Sequence, residues 1–235
     1  MRFTRETFEA AGGDWQAASK CNDEMDTLQN QRVSVLRLSG DLIRSKIAWK
    51  FAVLRQSLTY RLVDLSDATV AQWQEGNSLA CIVLARSFLE TVAVIHSVAG
   101  SARKALEERD LAALDRQAMR YSFGGRHPYW QFDDIGNPIN VLTALNHLSQ
   151  EIAPVRDFYE RISEIAHPNS QGTHQFYSNV DKETVEVTFS REKRDRGAIL
   201  PHLMAALTGL PWSLVKLAEI DAMISQIADL HDPVK

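Results

Sequence analysis

The sequence is poor in the residues from which several common kinds of site are built. It contains two cysteines, Cys21 and Cys81, which are too few for a disulfide framework or a zinc finger, so a reducing cytoplasm is the simplest setting. Cys81 lies in an apolar stretch and is expected to be a core residue. No glycine-rich phosphate loop follows a predicted strand, and no Gly-x-Ser-x-Gly motif occurs. P-loop nucleotide hydrolases and α/β-hydrolases therefore have no support.

Strong positive charge and long uncharged runs are also missing. The formal net charge is −4 and the pI is near 6.0, which argues against a basic surface over the whole molecule but leaves a local basic patch open. Residues 1–15 have no apolar core of the kind that a signal peptide needs. Residues 79–100 are the most apolar, yet they contain Arg86, Glu90 and His96, whereas a transmembrane span needs about 20 nearly uncharged residues. The sequence predicts a soluble cytoplasmic protein that does not bind a membrane.

Apolar residues are plentiful, at 45% of the chain, and most of them recur at helical spacing. The predicted helix over residues 78–98 is apolar almost all the way round, which is typical of the central helix of a bundle. The last predicted helix is expected to break at Gly209-Leu210-Pro211. The complete set of predicted helices is 23–38, 42–65, 68–76, 78–98, 102–122, 139–151, 154–167 and 197–230.

Other segments are not predicted to be helical. Residues 123–138 contain glycine, proline and aromatic residues, and they form a predicted loop that is long enough to have a role of its own. Residues 174–190 alternate with a period of two, which predicts a β-hairpin with Val187 and Phe189 on one face. Residues 1–20 are expected to be a loosely packed lead-in. The expected fold is one all-α domain over residues 1–235, a multi-helix bundle with a small hairpin insertion.

Two charged residues interrupt the central helix. Arg86 and Glu90 are four residues apart and therefore lie on one face of it. If both charges leave water, their desolvation costs several kcal/mol unless good hydrogen bonds offset it. Either the pair is structural and fixes the helix register, or it lies beneath a functional pocket.

The stretch YERISEIAHPNSQGTH, residues 159–174, contains the main candidate site. Pro168 disfavours helix at the residue before it, so the helix should end at His167, where the negative helix end favours a protonated imidazole. Arg161, Glu164 and His167 follow one another at three-residue steps and share a broad face. An arginine and a histidine together could bind a phosphate and transfer a proton, which is the minimum for metal-independent RNA cleavage by attack of the 2′-hydroxyl.

Other residues are expected to support this pair. Glu164 would hold the His167 imidazole in one tautomer, and the remaining supporting residues are Asn169, Arg86 and Glu90. A simpler interpretation is that His167 only caps the helix. Glu164 and His167 also form a Glu-x-x-His spacing, which di-iron bundles use twice, but no second copy occurs on a predicted helix. We therefore predict no metal and no cofactor, and a bundle metalloprotein is the weakest of the alternatives.

Two segments carry a resemblance to a known family. NSLACIVLARSFLET, residues 77–91, and YERISEIAHPNSQG, residues 159–172, resemble helices of uncharacterised all-α bacterial proteins related to the HEPN superfamily. Proteins of that group often have an arginine followed four to six residues later by a histidine, and Arg161 and His167 match this pattern. Ile162 departs from it, because the family usually has a polar residue directly after the arginine. The resemblance covers about residues 40–175.

The resemblance implies an up-and-down helical core and a metal-independent endoribonuclease of a toxin or phage-defence type. The site would lie at a homodimer interface, with Arg161 stabilising the phosphate and His167 transferring the proton. Many members of the group are non-catalytic, so the alternative is a helical binding or assembly module for RNA, a nucleotide or a protein partner. The mixed-charge run SREKRDRG, residues 190–197, is most simply a solvated turn, although its four cations could contact a phosphate backbone.

Overall fold

A computed structural model of the protein describes residues 1–125, 127, 129, 138–190 and 195–231, and most of them lie in α-helices. This confirms the predicted helical class with a small antiparallel sheet. Part of the predicted loop 123–138 and part of the run 190–197 lie outside the described residues. The elements are α1 (Arg5–Ala10), α2 (Trp15–Asn30), α3 (Asp41–Arg44), α4 (Lys46–Gln74), α5 (Ser78–Glu107), α6 (Leu111–Phe123), α7 (Val141–Glu151), α8 (Val155–Ala166), α9 (His174–Tyr177), β1 (Ser178–Asp181), β2 (Glu186–Phe189), α10 (Arg196–Leu207) and α11 (Gly209–His231).

The chain forms two compact units, each assembled from three separate segments. The first unit comprises Met1–Thr27, Leu62–Leu89 and Ala153–Leu210. The second unit comprises Leu28–Arg61, Glu90–Ile152 and Pro211–Lys235. The description of residues 1–235 as a single all-α domain stays a prediction.

An aromatic cluster anchors the N-terminus in the first unit. The ring of Trp73 lies 5.4 Å from that of Phe3 and 5.6 Å from that of Phe8, measured between centroids. The Trp73 indole N–H donates a hydrogen bond of 3.0 Å to the carbonyl oxygen of Arg196. Residues 1–20, expected to pack loosely, thus contain α1 and the start of α2 and bury two phenylalanines. Two aromatic residues five positions apart show no periodicity, which is why the sequence pattern did not reveal their burial.

The second unit buries an arginine that the sequence pattern did not single out. The Arg55 guanidinium donates to the side-chain oxygen of Gln31 at 2.7 Å and pairs with the Asp221 carboxylate at 2.8 Å. Burial raises the pKa of Asp221, and the charge of Arg55 opposes that shift. Because an unpaired charge is costly to bury, this pairing is what allows Arg55 to lie among apolar residues of α4.

The predicted helix over 23–38 is wrong at both ends. Helix α2 covers Trp15–Asn30, and the chain from 32 to 40 is not helical. Side chains of α4 bind the backbone of this segment, since Gln56 accepts from the N–H of Val33 at 3.2 Å and Tyr60 donates to its carbonyl oxygen at 3.2 Å. These bonds satisfy backbone groups that a continued helix would otherwise pair internally.

Two predicted breaks are also absent. The predicted helices 42–65 and 68–76 are largely one helix, α4, in which the Ser66 hydroxyl donates to the carbonyl oxygen of Val63 rather than capping a new helix. Helix α5 continues through Gly100 to Glu107. One exposed glycine costs a helix only about 1 kcal/mol, and the buried alanines on either side of it outweigh that cost.

Two stretches, Ser78–Glu107 and Arg196–His231, are long and apolar enough to span a membrane by length and composition alone. In their most apolar windows 50% and 44% of the residues are buried inside the protein. A core helix of a soluble protein meets the same criteria, so this is weak evidence for a membrane span. The absence of a membrane partner stays a prediction.

Replacing Gly100 with alanine is expected to stabilise the protein by about 0.5–1 kcal/mol, because glycine costs roughly that much within a helix. An added Cβ would meet no atom within 4 Å. Gly40 is the matched control: its surroundings are equally open, but its φ of +55° disfavours alanine, so Gly40→Ala should destabilise by about 1 kcal/mol. Urea denaturation measures both changes, and a loss of stability in Gly100→Ala would contradict the continuous helix.

Candidate functional site at the end of helix α8

Helix α8 has an apolar inner face and a polar outer face, and it agrees with the helix predicted over residues 154–167 to within one residue at each end. It follows Pro154, whose φ of −71° suits the start of a helix. It ends at Ala166, and His167 is already extended with a ψ of 149° because Pro168 follows it. The inner face consists of buried residues three positions apart: Tyr159, Ile162 and Ile165.

Arg161, Glu164 and His167 lie on the outer face and are exposed. In ideal helix geometry, residues six positions apart are separated by about 9 Å along the axis and about 120° around it. The oxygens of one phosphodiester lie much closer together than this, so both side chains must turn towards each other to contact the same phosphate. Within the part of the chain that the structure describes, neither the Arg161 guanidinium nor the His167 imidazole forms a hydrogen bond or an ion pair.

Asn169 closes the loop that follows the helix. Its side-chain oxygen accepts from the N–H of Gln171 at 3.0 Å and from that of Gly172 at 3.2 Å. Its side-chain nitrogen donates to the Glu164 carboxylate at 2.6 Å, and its carbonyl oxygen accepts from the Thr173 hydroxyl. The Asn169 side chain therefore holds the loop backbone together and also connects it to the last turn of α8.

Gly172 lets this loop lie directly against the helix end. A Cβ at this position would be 2.0 Å from the carbonyl oxygen of His167 and 2.5 Å from that of Ile165. Real Cβ atoms do not approach backbone oxygens so closely, so only glycine fits without moving the loop. The close approach explains how His167 is held at a fixed place although its ring makes no bond to the protein.

The expected role of Glu164 is wrong. We expected its carboxylate to orient the His167 imidazole, but its hydrogen bond goes to Asn169 and none to His167 is formed among the described residues. A carboxylate two positions before the last residue of a helix lies beside the loop that turns back over that end, which brings it within reach of Asn169. Glu164 and Asn169 support the site through the backbone of the loop.

Arg86 reaches α8 from the inner side. Its guanidinium nitrogens lie 3.2 and 3.4 Å from the Tyr159 hydroxyl, and its central carbon is 5.5 Å from the centre of the Tyr159 ring. Arg86 and Glu90 are both half-buried, so neither charge is fully withdrawn from water. Because Tyr159 belongs to the inner face, Arg86 steadies the helix from the side opposite to Arg161.

A second polar cluster, in the second unit, was not recognised from the sequence. The Nε2 atom of His96 lies 2.8 Å from the Glu151 carboxylate, and Lys216 lies 3.8 Å from the same carboxylate. The hydrogen bond from His96 lowers the pKa of Glu151, and the charge of Lys216 adds to this effect. His96 and Glu151 are 55 positions apart, and no spacing rule connects residues so distant in sequence.

The described residues offer a cleft in the first unit. It has a volume of about 250 Å³ and is lined by Gly76–Ala80 with Phe176 and Tyr177, which follow the 167–173 loop in sequence. Neither Arg161 nor His167 contributes to its lining. Within residues 1–125, 127, 129, 138–190 and 195–231, no three His, Cys, Asp or Glu side chains come together as a metal site would require.

Comparisons with protein-family models, with curated proteins and with solved structures found no match. The relation to the HEPN superfamily and the catalytic roles of Arg161 and His167 therefore stay predictions.

Asn169→Ala is expected to lower the free energy of unfolding by about 1–3 kcal/mol, because two loop N–H groups and the Glu164 carboxylate lose their partner. The double variant Asn169→Asp, Glu164→Gln keeps the oxygen that accepts from both N–H groups and avoids two facing carboxylates, so it should lose less than half as much. Chemical denaturation compares the two variants with the wild type. If Asn169→Ala is as stable as the wild type, the loop is not closed by this side chain.

The two cysteines should not react with an alkylating reagent in the folded protein. Burial raises the pKa of Cys81 to about 12 and is the main cause that raises that of Cys21 to about 12. Only about 10⁻⁴ of either thiol is ionised at pH 8, and the thiolate is the nucleophile. Mass spectrometry should find no carbamidomethyl group after brief treatment with iodoacetamide, and two after unfolding in guanidinium. Rapid labelling of the folded protein would exclude the buried positions described here.

Proposed function

We propose that the protein is a metal-independent endoribonuclease that acts through Arg161 and His167. The carrying observation is that both side chains are exposed on the outer face of α8, and that neither has a partner among the described residues. An exposed guanidinium and imidazole beside a loop fixed by Asn169 and Gly172 are available to a ligand without first breaking contacts to the protein.

The chemistry follows from these two groups. In the cleavage, the 2′-hydroxyl oxygen attacks the adjacent phosphorus while the bond to the 5′-oxygen breaks, which yields a 2′,3′-cyclic phosphate and a free 5′-hydroxyl. A neutral His167 accepts the proton of the 2′-hydroxyl, and a protonated His167 donates one to the leaving 5′-oxygen. Arg161 stabilises the negative charge that grows on the phosphoryl oxygens in the transition state.

The reaction needs two proton transfers, and among the described residues we assign one imidazole, that of His167, to the site of one chain. We therefore place the site in a homodimer in which His167 of each copy performs one of the transfers. This fits an HEPN-like up-and-down helical core, with RNA as the ligand in the cytoplasm. Arg86, which contacts Tyr159 from α5, serves as a supporting residue.

A specific observation favours the alternative of a non-catalytic binding or assembly module. Asp157 and Glu164 are exposed on the same outer face as Arg161, so the surface around the pair is not strongly positive. Glu164 and Asn169 are engaged with each other and hold the loop. On this alternative the polar end of α8 is a rigid recognition surface, and replacing His167 changes no chemistry.

The two functions are separated by incubating the purified protein with cellular RNA in excess chelator. The wild type should produce fragments that end in a 2′,3′-cyclic phosphate. His167→Ala should lower the rate by about 10²–10⁴, which is the usual contribution of a positioned general acid or base. Arg161→Ala should also lower it, because it removes the charge that stabilises the transition state.

His147→Ala is the matched control, since His147 is another exposed histidine and lies on α7. This variant should cleave RNA like the wild type. Equal cleavage by the wild type and His167→Ala would contradict the proposed mechanism and would also reveal a contaminating nuclease. Binding of RNA without cleavage by any variant would support the binding module.

A further inference from the structure

The hairpin has one apolar and one polar face, and the apolar face is turned to solvent. Strands β1 and β2 are antiparallel and pair Ser178 with Phe189 and Val180 with Val187. Because side chains alternate between the two faces of a sheet, these four lie on one face. The intervening pairs, Asn179 with Thr188 and Asp181 with Glu186, form the opposite, polar face.

The exposure of the apolar face is large. Val180 is 57% exposed, Val187 48% and Phe189 73%. Val185, in the turn before β2, is 84% exposed and has a φ of 58°, a conformation that β-branched residues rarely adopt. We name Val180, Val185, Val187 and Phe189 the hairpin patch.

Such a patch is unusual for a hairpin in water. An isolated two-stranded hairpin is marginally stable and gains stability when an apolar face packs against something. In antiparallel sheets that alternate between apolar and polar side chains, the apolar face is normally the covered one. Among the described residues the sheet has two strands and most of its apolar face is uncovered.

The charges around the patch favour a second copy of the chain as its cover. The patch itself carries no charge, so two copies can meet face to face without repulsion, while the carboxylates of Asp181 and Glu186 point away on the outer faces. The tip of the hairpin contains Asp181, Glu183 and Glu186 against Lys182, which leaves it with an excess of two negative charges. A two-fold axis that runs the hairpins antiparallel keeps the two acidic tips apart.

The area of the hairpin patch limits the affinity expected for the pairing of two copies. An aromatic side chain buries roughly 150–250 Å², so the patch with its three valines presents on the order of 400 Å² per copy. Two copies would bury about 800 Å² in total, below the roughly 1,200–2,000 Å² of a stable complex. A pairing through this patch alone is therefore weak and depends on concentration.

We propose that the apolar face of the 178–189 hairpin is a self-association surface, through which two copies of this chain pair face to face and antiparallel. The inference rests on the hairpin and does not require the nuclease activity. If it holds, the same contact brings the 167–173 loops of two copies into one assembly.

Sedimentation velocity from about 1 μM to about 1 mM tests the pairing, a range chosen for weak complexes. The wild type should shift from monomer to dimer as the concentration rises. Phe189→Glu should remain monomeric, since it places a charge at the centre of the patch. Thr188→Glu makes the same charge change one residue away on the polar face and should still dimerise. Thermal unfolding should be similar for the two variants, since both residues are exposed.

Cross-linking provides the second measurement. Facing sheets lie about 10 Å apart, which is too far for a disulfide but within reach of a short bismaleimide. Val187→Cys should therefore give a cross-linked dimer and Thr188→Cys should not. The two native cysteines are buried and should contribute no background.

A wild type that stays monomeric at every concentration would overturn the proposal. So would a dimer that Phe189→Glu leaves intact, because the contact would then lie elsewhere. Nuclease activity is measured separately from sedimentation. Loss of cleavage in His167→Ala with unchanged sedimentation bears on the proposed function and leaves the self-association surface untouched.

Discussion

The closure of the 167–173 loop over the end of α8 is the constraint on which the candidate site depends. Pro168 forces the chain out of the helix, Gly172 allows it to return to within contact of the helix carbonyls, and Asn169 ties both parts together. None of these residues is a candidate for chemistry. They determine where the His167 imidazole can lie, and they do so without using its nitrogen atoms, which stay available for a ligand.

Other cationic side chains of the protein form contacts within the fold. Arg55 is buried with partners, and Arg86 is half-buried against the Tyr159 hydroxyl. These cations stabilise the fold through their contacts, because an unpaired charge away from water would be costly. Arg161 and His167 differ in being exposed and having no partner among the described residues. This contrast distinguishes groups that hold the structure from groups that can act on something outside it.

The sequence predicted well the features that depend on local rules. Pro154 and Pro168 delimited α8, and period-two alternation indicated the hairpin with Val187 and Phe189 on one face, although residues 174–177 of the predicted span form α9. It failed where tertiary contacts override local preference. Buried neighbours of Gly100 keep α5 helical at that position. Side chains from α4 bind the backbone of the chain after α2. The partner of Glu164 was missed for the same reason, since the loop that brings Asn169 back to the helix has no periodic signal. The residue types suggested the site. Only the folded loop shows which of these side chains already have hydrogen-bond partners within the protein.

In the proposed mechanism, Arg161 and His167 engage the same phosphodiester. The most direct measurement is an NMR titration with a 2′-deoxy-substituted RNA, which lacks the attacking hydroxyl and so remains intact. The Nε–H signal of Arg161 and the ring signals of His167 should shift together along one binding curve, and Arg161→Gln should weaken the response of His167. Saturation of one group while the signals of the other do not move would show that the two groups do not share a phosphodiester.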